Sequence, residues 1–257
     1  MKNLFHLPVC NMRQTLIRLT GCGLALLPIL GFNAPTLADD AVSLKPYSAK
    51  YVTKSHGITL NLDRKLVQKA DGSYKLTNGG SKFVAGFQEV SEFKQENGRI
   101  IPGSYVYQGT GLMNRRREVH FTPGADTVRS LYKDNWYDLP YTDNTFDRMS
   151  QLEQVRLLLL ADDTPNEALI VTVADGKRVK DYQLDFVAEE KLETPMGVID
   201  VLHFERVHDD DERKSDTWLA PAWDYMMVKS VHIDDGSTVE ITIVSAKADG
   251  KTLTGKQ

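Results

Sequence analysis

The densest run of side chains with metal-binding or acid–base potential is His208-Asp209-Asp210-Asp211-Glu212. Carboxylate oxygens at that density can hold calcium, but a calcium loop needs a glycine-containing ligand spacing that this run lacks. It reads as a solvated turn between a strand ending near Val207 and one starting near Lys214. A second run, Asn114-Arg115-Arg116-Arg117-Glu118, carries planar guanidinium forks that suit a carboxylate or an anionic headgroup. Successive strand residues point to opposite faces. Arg115 and Arg117 therefore share a side, which becomes a site if it lines a cavity; otherwise the run is an exposed hairpin arm.

The histidines beyond the N-terminal segment are His56, His120, His203, His208 and His232. No two stand at a helical i, i+4 spacing and no H-E-x-x-H is present. His120 and His232 lie beside apolar strand residues and read as structural. No serine sits in a G-x-S-x-G elbow. Gly79-Gly80 is not followed by the Lys-Ser/Thr of a phosphate loop. Acidic residues are abundant, and nothing singles out a catalytic pair. No catalytic residue, metal ligand or cofactor is assigned, and the expectation is a protein that is not an enzyme. Aromatics offer a different chemistry: Tyr105, Tyr107, Trp136, Tyr137, Tyr141, Trp218, Trp223 and Tyr225 have the apolar body and polar tip that line amphipathic cavities. Strands are rich in aromatics in any case. The candidate ligand-binding set is Arg115, Arg117, Trp136 and Trp218.

These residues need strands to hold them, and turn chemistry marks where the strands end. Asp71-Gly72, Asn78-Gly79, Asn97-Gly98, Asp175-Gly176 and Asp235-Gly236 are dipeptides of the tight-hairpin type, which tolerate positive φ. Between them, apolar residues alternate: Tyr47/Ala49/Tyr51, Ile58/Leu60/Leu62, Phe83/Ala85/Phe87, Val119/Phe121, Tyr182/Leu184/Phe186 and Val239/Ile241/Ile243. That is the period of a strand with one buried face. The fold class is mainly β, a single antiparallel meander curled into a barrel or half-barrel. One amphipathic helix is expected at about 144–161, from Phe146, Met149, Leu152, Val155 and Leu159 at spacings of three and four. Asn144 or Thr145 would cap it, Asp147, Gln151, Glu153, Gln154 and Arg156 would take its other faces, and its Leu157–Leu160 end would be buried on more than one side. The helix would pack on or plug the concave face of the sheet.

The N-terminus reads as a secretion signal. Lys2, Arg13 and Arg18 precede the apolar run Leu24–Phe32, and Thr36-Leu37-Ala38 supplies small residues for cleavage. The apolar run is shorter than the ~20 residues that span a bilayer. Leu19-Thr20-Gly21-Cys22 resembles a lipid-attachment box, but the apolar run follows that cysteine rather than preceding it. The expected organisation is a signal peptide over 1–38 and one β-rich domain over 39–257. Both cysteines, Cys10 and Cys22, leave with the signal. Loss of three basic residues takes the net charge from −4 to −7, which argues against a nucleic-acid partner. No integral membrane segment remains after signal removal.

One further pattern runs through the chain. Thr194-Pro195-Met196-Gly197 precedes a strand over 198–207, Thr217-Trp218-Leu219-Ala220-Pro221 follows, and then come Val228-Lys229 and Asp235-Gly236. Upstream, Asp147 and Ser150 open the leucine-rich helix. This order resembles the bacterial DUF3108 family of exported proteins over about 47–246, with Met227 standing where the pattern has proline. The resemblance implies a β-rich envelope protein and supplies no catalytic residue. Pro195 and Gly197 fit a turn feeding a strand, Trp218 fits a core anchor, and Pro221 ends its strand. The leading functional expectation is a non-catalytic periplasmic binding or carrier module for an apolar or amphipathic ligand, such as a lipid. The alternative is a structural or interaction protein of the cell envelope that meets a protein partner through strand edges and charged hairpins.

Overall fold

The computed structural model describes residues 42–256 apart from 56–57, 83–84, 112–113 and 163–167. The expected signal segment with Cys10 and Cys22, together with His56 and Phe83, lies outside the described residues. Eight strands come first: β1 (Tyr47–Ser55), β2 (Ile58–Gln68), β3 (Tyr74–Lys82), β4 (Ala85–Glu96), β5 (Arg99–Gly111), β6 (Arg116–His120), β7 (Thr127–Tyr132) and β8 (Asn135–Pro140). The two-residue β9 (Thr145–Phe146) and the helix α1 (Ser150–Ala161) follow. Then come β10 (Leu169–Asp175), β11 (Arg178–Thr194), β12 (Gly197–Arg206), β13 (Lys214–Ala220), β14 (Met226–Asp234), β15 (Ser237–Ala248) and β16 (Lys251–Thr252).

All the strands belong to one sixteen-stranded sheet. It is two meanders rather than one. Strands β1 to β8 pair in sequence order, β10 to β15 do the same, and β1 joins the halves by pairing antiparallel with β15. Strand β9 adds to β10 in parallel. The first and last strands of the main path are thus β8 and β9, which are neighbours in sequence. Five steps of chain from Pro140 to Thr145 span at most about 17 Å. Laid flat, fourteen strand spacings would separate the two edges by about 65 Å. The sheet is therefore curled until its edges nearly meet.

It does not close as a barrel, because among the described residues no ladder joins β8 to β9. Side chains hold the seam instead. Ser130 Oγ on β7 donates to the Gly176 carbonyl at 2.6 Å, and Arg117 on β6 pairs with Asp175 at 3.3 Å. The hairpins at Asn97-Gly98 and Asp235-Gly236 have positive φ at both residues, as their sequence requires. Asn78-Gly79 is no turn: both residues lie inside β3. A Cβ on Gly79 would stand 2.7 Å from the Phe87 carbonyl oxygen on β4, so glycine here permits close approach of two strands.

The helix lies on the concave face and is shorter than its periodicity suggests. Thr145 and Phe146 extend the sheet, and the chain turns into α1 only at Met149. Neither Asn144 nor Thr145 caps it. Asp147 does so, with Oδ1 accepting from the Met149 and Ser150 backbone N–H at 2.8 and 3.0 Å. Its Oδ2 accepts from the Ser91 and Ser150 hydroxyls, each at 2.7 Å. The polar faces of the helix are buried rather than solvated: Asp147, Glu153, Gln154 and Arg156 are all inside. In the leucine run, Leu157 and Leu159 are buried on opposite sides of the helix and Leu160 is partly buried, so the end is covered on more than one side, with Leu158 exposed.

Candidate functional site

The space beneath α1 is filled by a polar knot set in apolar core. Glu153 Oε1 accepts from Tyr47 Oη at 2.8 Å and Arg64 Nη2 at 3.0 Å, while Oε2 accepts from Arg156 Nη1 at 2.5 Å. Arg64 Nε donates to Tyr47 Oη, and Arg156 Nε donates to the Asp224 carbonyl. Burial by itself would raise the Glu153 carboxyl; Arg156, Arg64 and Tyr47 outweigh it and hold the group below its ordinary value. Burial, with the Glu153 charge adding to it and Arg64 opposing, pushes the Tyr47 phenol up to about 12. Every strong polar group in this knot has a partner, so it stabilises the fold and offers a ligand nothing.

The open polar space lies at one end of the same concave face. A cavity of about 680 Å³ stands between the start of the helix, at Arg148 and Gln151, and the ends of β11 to β14. The register explains its lining. Directly opposed residues of antiparallel strands share a face, and Arg206, Ser215 and His232 oppose one another across β12, β13 and β14. On the other side Arg206 opposes Leu184, which opposes Leu169. Two residues on from these, Tyr182 and the fully buried Val171 lie on the same inner face, so the whole row points inward.

The guanidinium of Arg206 sits 3.2 Å from the centre of the Tyr182 ring. Its Nε is buried with no hydrogen-bond partner among the described residues. Burial, partly offset by Tyr182, lowers its proton affinity. Three other cations at the cavity have carboxylates: Arg213 meets Asp234 at 2.9 Å, Lys180 meets Asp209 at 3.2 Å, and Arg148 meets Asp175 at 3.4 Å. Beside Arg206, Ser215 Oγ lies 2.7 Å from His232 Nδ1 and 2.9 Å from His208 Nε2. Burial is the largest influence on both histidines. With the Arg206 charge, it pushes His208 below its ordinary value of 6.5. His232 is lowered as well, although Asp234 opposes the shift. A groove of about 360 Å³ adjoins the cavity, sharing Arg206, Val207 and His208; it adds Val187 together with the charged Asp185, Glu205, Asp211 and Lys214, and both valines are 48% exposed. The combination can hold one anionic group against Arg206 with apolar surface beside it.

The four residues singled out from sequence lie elsewhere. Arg115 and Arg117 do share the concave side. They line a small cavity of about 80 Å³ with Glu89, Tyr107 and Arg148 and a wider one of about 580 Å³ with Gln108, Tyr132 and Lys133, and their guanidinium groups stand over Tyr107 and Tyr132 at 5.6 and 5.1 Å. Trp136 stands on the outer face of β8, 45% exposed, with Arg129 over its ring and His120 beside it. Trp218 is half-buried on the outer face of β13 rather than anchored in the core. Its ring stacks on His203 at 4.3 Å, and its Nε1 donates to Glu190 at 3.0 Å. The acidic run 208–212 is an exposed loop, as its composition indicates, yet His208 turns back toward Ser215.

The residues that sequence reading missed are Arg206, Ser215, His232 and Tyr182. One signal was available. Arg206 falls in phase with Leu202 and Phe204, so an arginine occupies the inward period of a core strand.

Among the described residues no helix is long and apolar enough to cross a membrane. Comparison with known proteins adds a fold and a family. The chain resembles a β-barrel-like protein of the DUF1849 domain from Brucella abortus at 11% identity, with a TM-score of 0.54 over 81% of this chain and 99% of that one. A candidate lipoprotein from Parabacteroides distasonis matches at 11% identity over 79% of this chain and 96% of that one, with a TM-score of 0.31. A candidate outer membrane lipoprotein-sorting protein domain from Vibrio parahaemolyticus matches at 10% identity over 80% and 86%, with a TM-score of 0.26. No curated protein matches the chain. The model of the family described as "Protein of unknown function (DUF3108)" matches residues 52–244, and the chain belongs to that family.

Proposed function

We propose that this protein is an exported, periplasmic, non-catalytic binding module for an amphipathic envelope ligand, gripped by an anionic group at Arg206. The observation that carries this reading is a cation with a buried, unpartnered Nε facing a cavity of about 680 Å³. A buried donor left without a partner costs about 1–3 kcal/mol, which an acceptor on a ligand would recover. The exposed valines of the adjoining groove give the apolar part of such a ligand a surface. The filled space under α1 favours a ligand held at the open end over an apolar chain threaded through the core.

The test is calorimetric titration of dodecyl phosphate and of uncharged dodecyl maltoside into the protein and its Arg206→Gln variant. The anionic amphiphile should bind and the uncharged one should not. Loss of the charge-assisted bonds should weaken binding roughly tenfold or more. Equal binding by both proteins would overturn the assignment.

A second reading, an interaction protein of the envelope, draws on the filled core and on β8. Among the described residues that strand pairs only with β7, and it carries the exposed Trp136. A stable partner recovered by pull-down, and lost on charge reversal at Arg115, Arg116 and Arg117, would favour it.

A further inference from the structure

The chain His208–Ser215–His232 lies against Arg206 and has a proton count that matters. One hydroxyl proton serves two contacts, so in the neutral chain Ser215 donates to one histidine and accepts from the other. One added proton, placed on the histidine that had accepted, makes it a second donor to Ser215 Oγ; both contacts stay intact and the hydroxyl is released to donate elsewhere. That proton therefore raises the local charge without breaking a hydrogen bond inside the protein. The charge itself meets opposition in the empty cavity. Arg206 faces the chain from β12 and Arg213 from the loop before β13, while Arg148 stands at the helix entry. Asp234, from β14, is the one carboxylate that draws a proton to both histidines. Asp209 and Asp210 line the rim, Arg178, Lys180, Asp181 and Tyr182 border the cavity from β11, and Asp175 does so from the end of β10.

We infer that the cavity takes a phosphate-monoester head, and that the His208–Ser215–His232 chain takes up a proton as that head enters. The inference rests on Arg206 being the anion anchor. Arg206 by itself balances one negative charge, as on a carboxylate, and leaves the histidines nothing to answer. A phosphate monoester carries between 1.5 and 2 negative charges near neutrality and offers three acceptor oxygens. Those oxygens can use Arg206 Nε together with the freed Ser215 hydroxyl, and Ser230 lies in the same lining. The second negative charge favours the imidazolium that the empty cavity disfavours. By linkage, a ligand that carries one proton into the complex binds up to about tenfold more tightly per unit fall in pH.

The experiment is calorimetry of dodecyl phosphate in two buffers of different ionisation heat at pH 7.5, where the free ligand is dianionic. Uptake of about one proton per ligand is expected, with lower uptake for dodecanoate and little for the His208→Asn/His232→Gln double variant. Histidine proton resonances of the wild-type protein, followed against pH with and without dodecyl phosphate, give the same answer without relying on a variant that folds. Two resonances should titrate below 6.5 in the free protein and move up when ligand binds. Inorganic phosphate is the third arm. Tight binding by it, with the same proton uptake, would support the headgroup chemistry and identify free phosphate as its source; weaker binding would point to a lipid-like ester. Binding of dodecyl phosphate without proton uptake would overturn the inference and leave the Arg206 anchor standing. Absence of binding at any pH would remove both.

Discussion

Glu153 is fully buried between Arg64 and Arg156, and each of its oxygens is committed. Removing one member of such a set leaves uncompensated charge in the interior, at a cost of roughly 3–5 kcal/mol. Glu153→Gln should therefore lower the unfolding free energy by that amount, read as a lower urea midpoint with little change in slope. The carboxyl is held below its unfolded value, so its contribution is complete above the ordinary glutamate range. It is lost as the pH falls through the folded value. The histidines act in the same direction, at higher pH. Burial lowers both, so their contribution is complete above 6.5 and falls away as the pH drops from there toward their folded values. Stability measured from pH 8 to pH 5 should decline for the wild type and decline less for the His208→Asn/His232→Gln variant. The sequence marked Arg115, Arg117 and the tryptophans because they stand out by type. Arg206 stands out only by phase, and phase becomes visible once the strand's inner face is known.

Among the elements, α1 shows where periodicity misleads. Phe146, Met149, Leu152, Val155 and Leu159 mark one stripe, and a surface helix would turn its other faces to water. Here a curled sheet surrounds the helix, so Glu153, Gln154 and Arg156 are covered as well and must find partners inside. Gln154 Oε1, for example, accepts from the Ile100 N–H at 2.8 Å. The helix start is equally a tertiary matter: Thr145 and Phe146 have helical neighbours but gain ladder bonds by adding to β10. That leaves Asp147 to make the cap. Asp147→Ala removes an acceptor from four donors and should cost about 1–3 kcal/mol. Asp147→Asn keeps one oxygen for the two backbone donors and should recover part of that loss. Thermal unfolding of the two variants side by side checks the order. Likewise, Asn78-Gly79 has turn composition and lies mid-strand, because only the packed neighbour Phe87 shows why a glycine is needed there.

On the scale of the whole molecule, the β-rich class, the presence of the helix and most hairpins were legible, since they follow from local alternation and turn residues. The division into two meanders was not. The β1–β15 pairing joins residues at opposite ends of the domain, and no short-range signal encodes it. The seam follows from that pairing and from the short β8–β9 connection. Ser130 is buried, and Ser130→Ala would leave the Gly176 carbonyl without its donor, at about 1–2 kcal/mol. Hydrogen exchange should then rise in β7, β8 and β10 while β1–β4 stay protected; a uniform rise would mean that the seam is not a separate unit. The proposed binding function requires an anion to meet Arg206 at the open end of the concave face. A crystal structure of the protein with dodecyl phosphate answers this most directly. A phosphate oxygen should lie within hydrogen-bond distance of Arg206 Nε, with the alkyl chain over Val207 and Val187. A phosphate bound between Arg115 and Arg117, or on the outer face beside Trp218, would contradict it.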